Sequence, residues 1–126
     1  MTVNQGQQSR NLNADNIQGI ASALARFTGQ HVEAVAETSD AEAFRLAQQI
    51  VIALEYAHWD VEPHWIRYIA ENPPRSGVIV YDRAESPIAE AIVLALREQR
   101  LETSAIAYPG QIKERAVIRV YSNPIQ

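Results

Sequence analysis

The stretch from Ser76 to Leu101, SGVIVYDRAESPIAEAIVLALREQRL, constrains the fold more than any other part of the chain. Its apolar run, residues 78–81, is typical of a central strand buried on both faces. Ser86 stands where a helix needs an N-cap, and Pro87 stands at the first helical position, which tolerates proline. Apolar residues then recur at helical spacing, and Arg97 lies in the last turn, where a cation suits the helix dipole. The stretch therefore predicts a strand, a short turn and a packed helix, the first two parts of a βαβ unit.

A second unit of this kind is predicted in the first half of the chain. Residues 31–37 alternate between apolar and polar, which indicates a half-exposed strand. Ser39 and Glu42 fit the S-x-x-E capping box at the start of a helix over residues 40–57. Another strand begins near Trp59, and Pro63 either restricts that strand to a sheet edge or ends it.

The remaining segments complete the predicted fold. Residues 1–11 are polar and are expected to be a disordered tail, so that a single domain spans residues 12–126. Asn13 is predicted to cap an N-terminal helix, and strands are predicted near residues 102–108 and 116–121. We therefore expect an α/β (α+β) fold with one sheet and two βαβ-like halves, of the ferredoxin-like sandwich type, preceded by that helix. Residues 63–76 do not indicate one particular structure.

An internal echo supports two related halves. Residues 50–54 (IVIAL) match residues 92–96 (IVLAL) at four of five positions, at an offset of 42 residues (92 − 50). Aliphatic helix faces converge easily, so the match is compatible both with a duplicated βαβ unit and with chance.

Composition excludes several classes of function. The chain has 126 residues, no cysteine and a formal net charge of −4, with acidic and basic residues scattered. This balance argues against a nucleic-acid partner, which requires a clustered basic face. No apolar run approaches the roughly 20 residues of a membrane span, so we expect no membrane insertion by this segment. The compartment is not indicated.

No catalytic residue, metal ligand or cofactor site is predicted. The three histidines, His31, His58 and His64, lack the helical i, i+4 spacing of a zinc site. Capping roles explain Ser39 and Ser86, and neither lies in a nucleophile elbow. A phosphate-binding glycine loop is absent. A receiver domain would require a lysine at the end of a late strand, and no such lysine is predicted. We therefore expect a protein that is not an enzyme.

Five residues remain as candidates for contacting a ligand or partner. Asp82, Arg83 and Glu85 follow the apolar strand, where open α/β sheets form a crevice, together with the loop at residues 38–40. The carboxylates there predict that phosphate esters do not bind. Trp65 and Tyr68, in a polar connector, are predicted to be exposed contact residues.

From residue 20 to about residue 104 the chain resembles the soluble part of small, uncharacterised bacterial membrane-associated proteins. The similarity lies in the SDAEA segment at 39–43, in ALEYAHWDV at 53–61 and in Ser86-Pro87. His58 stands where the family pattern has glycine, a position that requires a left-handed backbone. The resemblance implies a domain beside membrane helices, on the periplasmic or cytoplasmic face of the inner membrane, and transfers no catalytic residue.

Two functional hypotheses follow. The first is a non-enzymatic sensing or protein-interaction domain, with a protein partner or self-association expected. The alternative is a small-molecule-binding regulatory domain of the ferredoxin-like type, suggested by the predicted element order. A hydrolase or transferase is a third and weaker hypothesis.

Overall fold

The computed structural model describes residues 9–67, 75–107 and 115–123. The helices are α1 (Ala14–Leu24), α2 (Ala41–Tyr56) and α3 (Pro87–Glu98), and a short 3-10 turn, Ala25–Phe27, follows α1. The strands are β1 (His31–Glu37), β2 (Asp60–Ile66), β3 (Val78–Asp82), β4 (Thr103–Ala107) and β5 (Val117–Val120). The predicted α/β fold with an N-terminal helix is confirmed.

The five strands form one sheet in the order β2-β1-β5-β3-β4. β1 is parallel to β2 and to β5, β3 is parallel to β4, and β3 runs antiparallel to β5. Each βαβ unit thus pairs its own two strands directly, and β5 joins the two units. The ferredoxin-like order is not confirmed, because that fold splits each βαβ unit by an intervening strand. The 78–81 run lies in an interior strand, as predicted, but the central position belongs to β5.

All three helices cover the same face of the sheet. Alternate residues of the strands point into one apolar core beneath the helices, and on the opposite face Val35, Ile79 and Val117 are also buried. This core contains Val32, Ala34 and Ala36 of β1, Val78 and Val80 of β3, and Ile118 and Val120 of β5. Helices α2 and α3 contribute the equivalent residues of the sequence echo, Ile50, Ala53 and Leu54, and Ile92, Ala95 and Leu96.

The ends of α2 and α3 extend this equivalence. His58 has the predicted left-handed backbone, with φ 65°, and Arg100 has φ 67° at the same offset of 42 residues. In each half the next amide donates back into the helix end, which satisfies a terminal carbonyl. These hydrogen bonds are Trp59 N–H to the Leu54 carbonyl (3.0 Å) and Leu101 N–H to the Leu96 carbonyl (3.1 Å). The two βαβ units are therefore built alike from the middle of each helix through its following strand.

Two of the three predicted N-caps are confirmed. Asn13 caps α1 in a reciprocal capping box, and the Ser86 Oγ accepts a hydrogen bond from the Ala89 N–H (3.1 Å). The prediction for Ser39 is wrong. The Asp40 side chain caps α2 instead, because α2 begins one residue later than the capping-box spacing implies.

Arg10 belongs to the ordered part of the chain, which the composition of residues 1–11 did not predict. Its side chain is only 8% exposed, and its Nη2 lies 2.6 Å from the Glu42 Oε1. The same nitrogen donates to the Tyr121 carbonyl (2.7 Å). Arg10 thus ties the N-terminal segment to α2 and to the end of β5. Residues 1–8 lie outside the described residues.

Candidate functional site

The turn at residues 82–86 has a structural role at the start of α3. Asp82 is 6% exposed, and its Oδ1 accepts from the Arg83 N–H (2.7 Å) while its Oδ2 accepts from the Ser86 Oγ (2.6 Å). Glu85 has a left-handed backbone, with φ 60°. The structure brings Asp82, Arg83 and Glu85 together in one turn, where Asp82 fixes the start of α3.

The predicted crevice between the turns after β1 and β3 does not form. Because β5 is parallel to β1 and antiparallel to β3, the C-terminal ends of β1 and β3 lie at opposite ends of the sheet. Residues 38–40 and residues 82–86 therefore cannot face a common ligand. The prediction of a shared crevice is wrong.

Of the two predicted aromatic contact residues, Trp65 and Tyr68, only Trp65 lies among the described residues. Trp65 is half-buried on the helix side of β2, and its ring meets Phe44 of α2 edge-to-face, with centroids 5.3 Å apart. This contact closes the space between α2 and β2 with aromatic side chains. Tyr68 lies outside the described residues.

A charged network lies on the face of β1 and β2 opposite the helices. The Arg115 Nη1 lies 2.7 Å from the His31 Nε2 and 2.9 Å from the Glu62 Oε1. The His31 Nδ1 lies 3.3 Å from the Asp60 Oδ2. His64 lies 3.4 Å from Glu33. Among the described residues no group of three or more histidines or carboxylates could hold a metal ion.

The outer side of β4, which we call the β4 edge, pairs with no other strand in the described parts of the chain. The Val78 N–H donates to the Glu102 carbonyl (2.9 Å), which fixes the direction of the backbone groups. Successive residues of a strand point these groups to opposite sides, so Ser104 and Ile106 bond to β3. Thr103, Ala105 and Ala107 therefore direct their N–H and C=O groups away from β3; Ala105 and Ala107 are exposed there, whereas Thr103 is only 3% exposed. The Thr103 carbonyl accepts from the Arg97 Nε (2.8 Å).

A groove of about 530 Å³ runs beside the β4 edge, between β4 and α3. We call it the α3–β4 groove. Its floor is apolar, formed by Ala89, Val93 and Ala105, and Leu94 stands at its rim with 54% of its surface exposed. Charged side chains lie toward its two ends. They are Glu85 and Glu90 near the start of α3 and Arg97 near its end.

Comparison of equivalent positions shows why the groove is open. At the offset of 42 residues, Ala105 of β4 corresponds to Pro63 of β2. The amide of Asp60 donates to the Gln30 carbonyl (2.8 Å), so position 63, like position 105, faces the free edge. Proline has no N–H to offer there. By the same offset the Phe44 and Trp65 pair corresponds to Ser86 and Ala107, which are too small to fill the groove.

Sequence reasoning missed the β4 edge entirely. Its residues, TSAIA, carry no charge and no catalytic group, so they attracted no functional interpretation. The available signal was the echo between α2 and α3. Extended by nine residues, that alignment places Ala105 against Pro63 and identifies the two edges as different.

Comparisons with known proteins add no family. No family model, curated protein or solved structure matches the chain. The resemblance to the soluble part of small bacterial membrane-associated proteins therefore stays a prediction. Among the described residues, no helix combines the length and the apolar composition needed to cross a membrane.

Proposed function

We propose that this protein is a non-enzymatic interaction domain that binds an extended polypeptide segment along the β4 edge. The observation that carries the proposal is an uncharged edge strand, which pairs with no other strand among the described residues, beside an open apolar groove. In strand addition, backbone hydrogen bonds supply affinity and alternate side chains enter neighbouring pockets. The β4 edge provides the first element and the α3–β4 groove provides the second.

The composition of β4 supports an edge that binds. Natural proteins protect exposed edges with charges, proline, bulges or covering segments, because an unprotected edge recruits other strands. β2 carries such protection in Glu62 and Pro63, which correspond to Ser104 and Ala105 in β4. None of the five β4 residues is charged or proline. This contrast between the two edges supports β4 as the binding edge.

The small-molecule alternative has one observation in its favour. The groove volume of about 530 Å³ falls within the range of roughly 300–1,000 Å³ that is common for ligand sites. A thermal-shift screen with amino acids and nucleotides tests it, because a ligand at about 100 times its dissociation constant stabilises a protein by roughly 2.7 kcal/mol. The interaction-domain proposal predicts no such shift.

The direct test is selection of binding peptides. A random dodecapeptide library is displayed and selected on wild-type protein at nanomolar concentration, and enriched peptides are titrated by calorimetry against the wild type and Ala105→Pro. The substitution removes an outward N–H and leaves the β3–β4 ladder intact, because position 105 faces the free edge. We expect affinity to fall about tenfold or more, since one hydrogen bond of about 0.5–1.5 kcal/mol is lost together with close strand approach.

Ser104→Thr is the matched control, because residue 104 directs its backbone toward β3 and threonine suits strands. It should bind the selected peptides like the wild type. Failure to enrich any peptide, or equal binding by Ala105→Pro, would contradict the proposal.

A further inference from the structure

We propose that the segment bound at the β4 edge is β4 of a second copy of this chain, so that two sheets join into one through an antiparallel β4–β4 contact. This inference rests on the proposed function and names the partner. It follows from two features that are each self-complementary about a two-fold axis: the backbone of β4 and the outer face of α3.

The strand supplies the register. Thr103, Ala105 and Ala107 direct their backbone groups outward, so a two-fold axis at Ala105 makes Ala105 face its own copy as a hydrogen-bonded pair. Thr103 then faces Ala107 of the second copy, and the reverse. This register sets the five residues of β4 opposite one another, with Ala105 and Ala107 as the exposed positions and Thr103 buried at 3% exposure. Any shifted symmetric register pairs fewer.

The helix supplies a second contact at the same axis. α3 packs on both β3 and β4, so it lies over the outer part of the sheet. Strands lie about 4.8 Å apart, so joining two β4 strands brings the two α3 axes to roughly 10 Å, within the usual range of helix packing. A second α3 would therefore cover the α3–β4 groove.

Leu94 lies close to this axis. Arg97 contacts Thr103, so these two residues lie at about the same height along the sheet. From Thr103 to Ala105 the strand rises about 6.6 Å, which is the length of about four helical residues at 1.5 Å each. Ala105 is therefore level with residues 93–94 of α3, and both Ala105 and Leu94 line the groove. The exposed Leu94 side chain would meet its own copy, which accounts for a large apolar side chain at the rim.

The charges on α3 agree with an antiparallel helix pair. Glu90, Leu94 and Arg97 lie on one face at helical spacing. In an antiparallel pair of α3 helices with the two-fold axis at residues 93–94, Glu90 of each copy faces Arg97 of the other, which gives two such contacts. Arg97 has no acidic partner among the described residues, where its Nε bonds to Thr103. A parallel arrangement would instead oppose like charges.

A charge-swap mixing experiment tests this interface by sedimentation velocity over a range from 1 to about 100 µM, a span across which a micromolar dimer changes population. In a homodimer of Glu90→Arg, two arginines face each other at each contact. In a homodimer of Arg97→Glu, two glutamates face each other. A 1:1 mixture of the two variants restores both opposite-charge contacts. We expect a wild-type dimer, each variant at least about fivefold weaker in self-association, and a heterodimer in the mixture.

A monomeric wild type at 100 µM, about the upper concentration of the series, would overturn the inference. So would a mixture that associates no better than its components. Arg97→Lys, which keeps the charge, is the control and should dimerise. Circular dichroism of each variant confirms folding.

The outcome separates the inference from the proposed function. A monomer that still binds selected peptides at the β4 edge contradicts the self-association and keeps the interaction domain. A monomer that binds none contradicts both.

Discussion

The two edge strands of the sheet, β2 and β4, lie in equivalent segments of the chain but differ in the residues at their outer sides. β2 and β4 each follow a helix that closes through a left-handed residue and a hydrogen bond of the same pattern. At β2, Pro63 removes an outward amide and Trp65 fills the helix–strand space against Phe44. At β4 the corresponding positions are alanine and the space is the α3–β4 groove. The two halves therefore share equivalent core positions and differ at the residues of the two sheet edges.

The face of the sheet opposite the helices also differs between the β2 side and the β4 side. Charged side chains of β1, β2 and Arg115 cover it on the β2 side, where His31 and His64 are bound to carboxylates. On β4 the same face carries Ser104 and Ile106, which correspond to Glu62 and His64 at the offset of 42 residues. A strand approaching β2 would have to bring its own groups close to these charges. Ser104 and Ile106 carry no charge of this kind.

The largest expected effects on stability come from equivalent core positions of α2 and α3. Ile50 and Ile92 are both fully buried. Each substitution to alanine should lower the free energy of unfolding by about 2–5 kcal/mol, through lost burial and a residual cavity. Urea denaturation in an Ala105→Pro background keeps association out of the measurement. A difference of more than about 2 kcal/mol between the two sites would break the comparison of the halves.

Opening the first groove should have a smaller effect. Trp65→Ala is expected to lower the free energy of unfolding by about 2–3 kcal/mol, below the 3–5 typical of a fully buried aromatic, because Trp65 is only half-buried. Ala107→Ser, at the equivalent position, should change it by less than about 0.5 kcal/mol. The same denaturation measurement checks both. A small loss at Trp65 would mean that the aromatic pair does not close the β2 side.

The left-handed positions should respond alike and modestly. His58→Gly and Arg100→Gly are each expected to raise the free energy of unfolding by up to about 1 kcal/mol, because glycine adopts positive φ without the side-chain penalty. Greater backbone freedom in the unfolded chain limits the gain. Matched thermal and urea melts of the two variants measure it. Destabilisation at either site would contradict the similar helix ends.

Replacing Pro63 of β2 tests whether proline alone prevents association at that edge, and it should change stability very little. Pro63→Ala restores an outward amide, yet the Phe44–Trp65 contact and the charges of β2 remain. We expect the unfolding free energy to change by less than about 1 kcal/mol and no new self-association. Sedimentation of Pro63→Ala combined with Ala105→Pro isolates the β2 edge. A dimer of this double variant would show that proline alone protected β2.

Local sequence signals predicted most of the elements. The caps at Asn13 and Ser86, the left-handed His58 and the edge position of Pro63 each depend on one or two neighbouring residues. Strand direction and order depend on pairings between distant segments. The alternation of β5 indicated a strand but did not indicate that it lies between β1 and β3, and this insertion places the two turns at opposite ends.

The candidate site was less predictable than the fold. Charged and aromatic residues drew attention to Asp82 and Trp65, and both are engaged in holding the structure. The β4 edge instead follows from small, neutral residues and from the absence of covering groups on the described chain. Such a surface carries no chemical motif. It becomes visible only when two equivalent strands are compared.

The most direct test of this account is amide hydrogen exchange at residue resolution in dilute and concentrated protein. The Ser104 amide bonds to β3 and should be protected at every concentration, while the Ala105 amide should be protected only when the chain self-associates. The Val61 amide, which faces outward from β2, should exchange at a rate that does not depend on concentration. Protection of Ala105 that rises with concentration, with Val61 unchanged, is the predicted result. Equal and concentration-independent exchange of Ala105 and Val61 would contradict the claim that β4 is the associating edge.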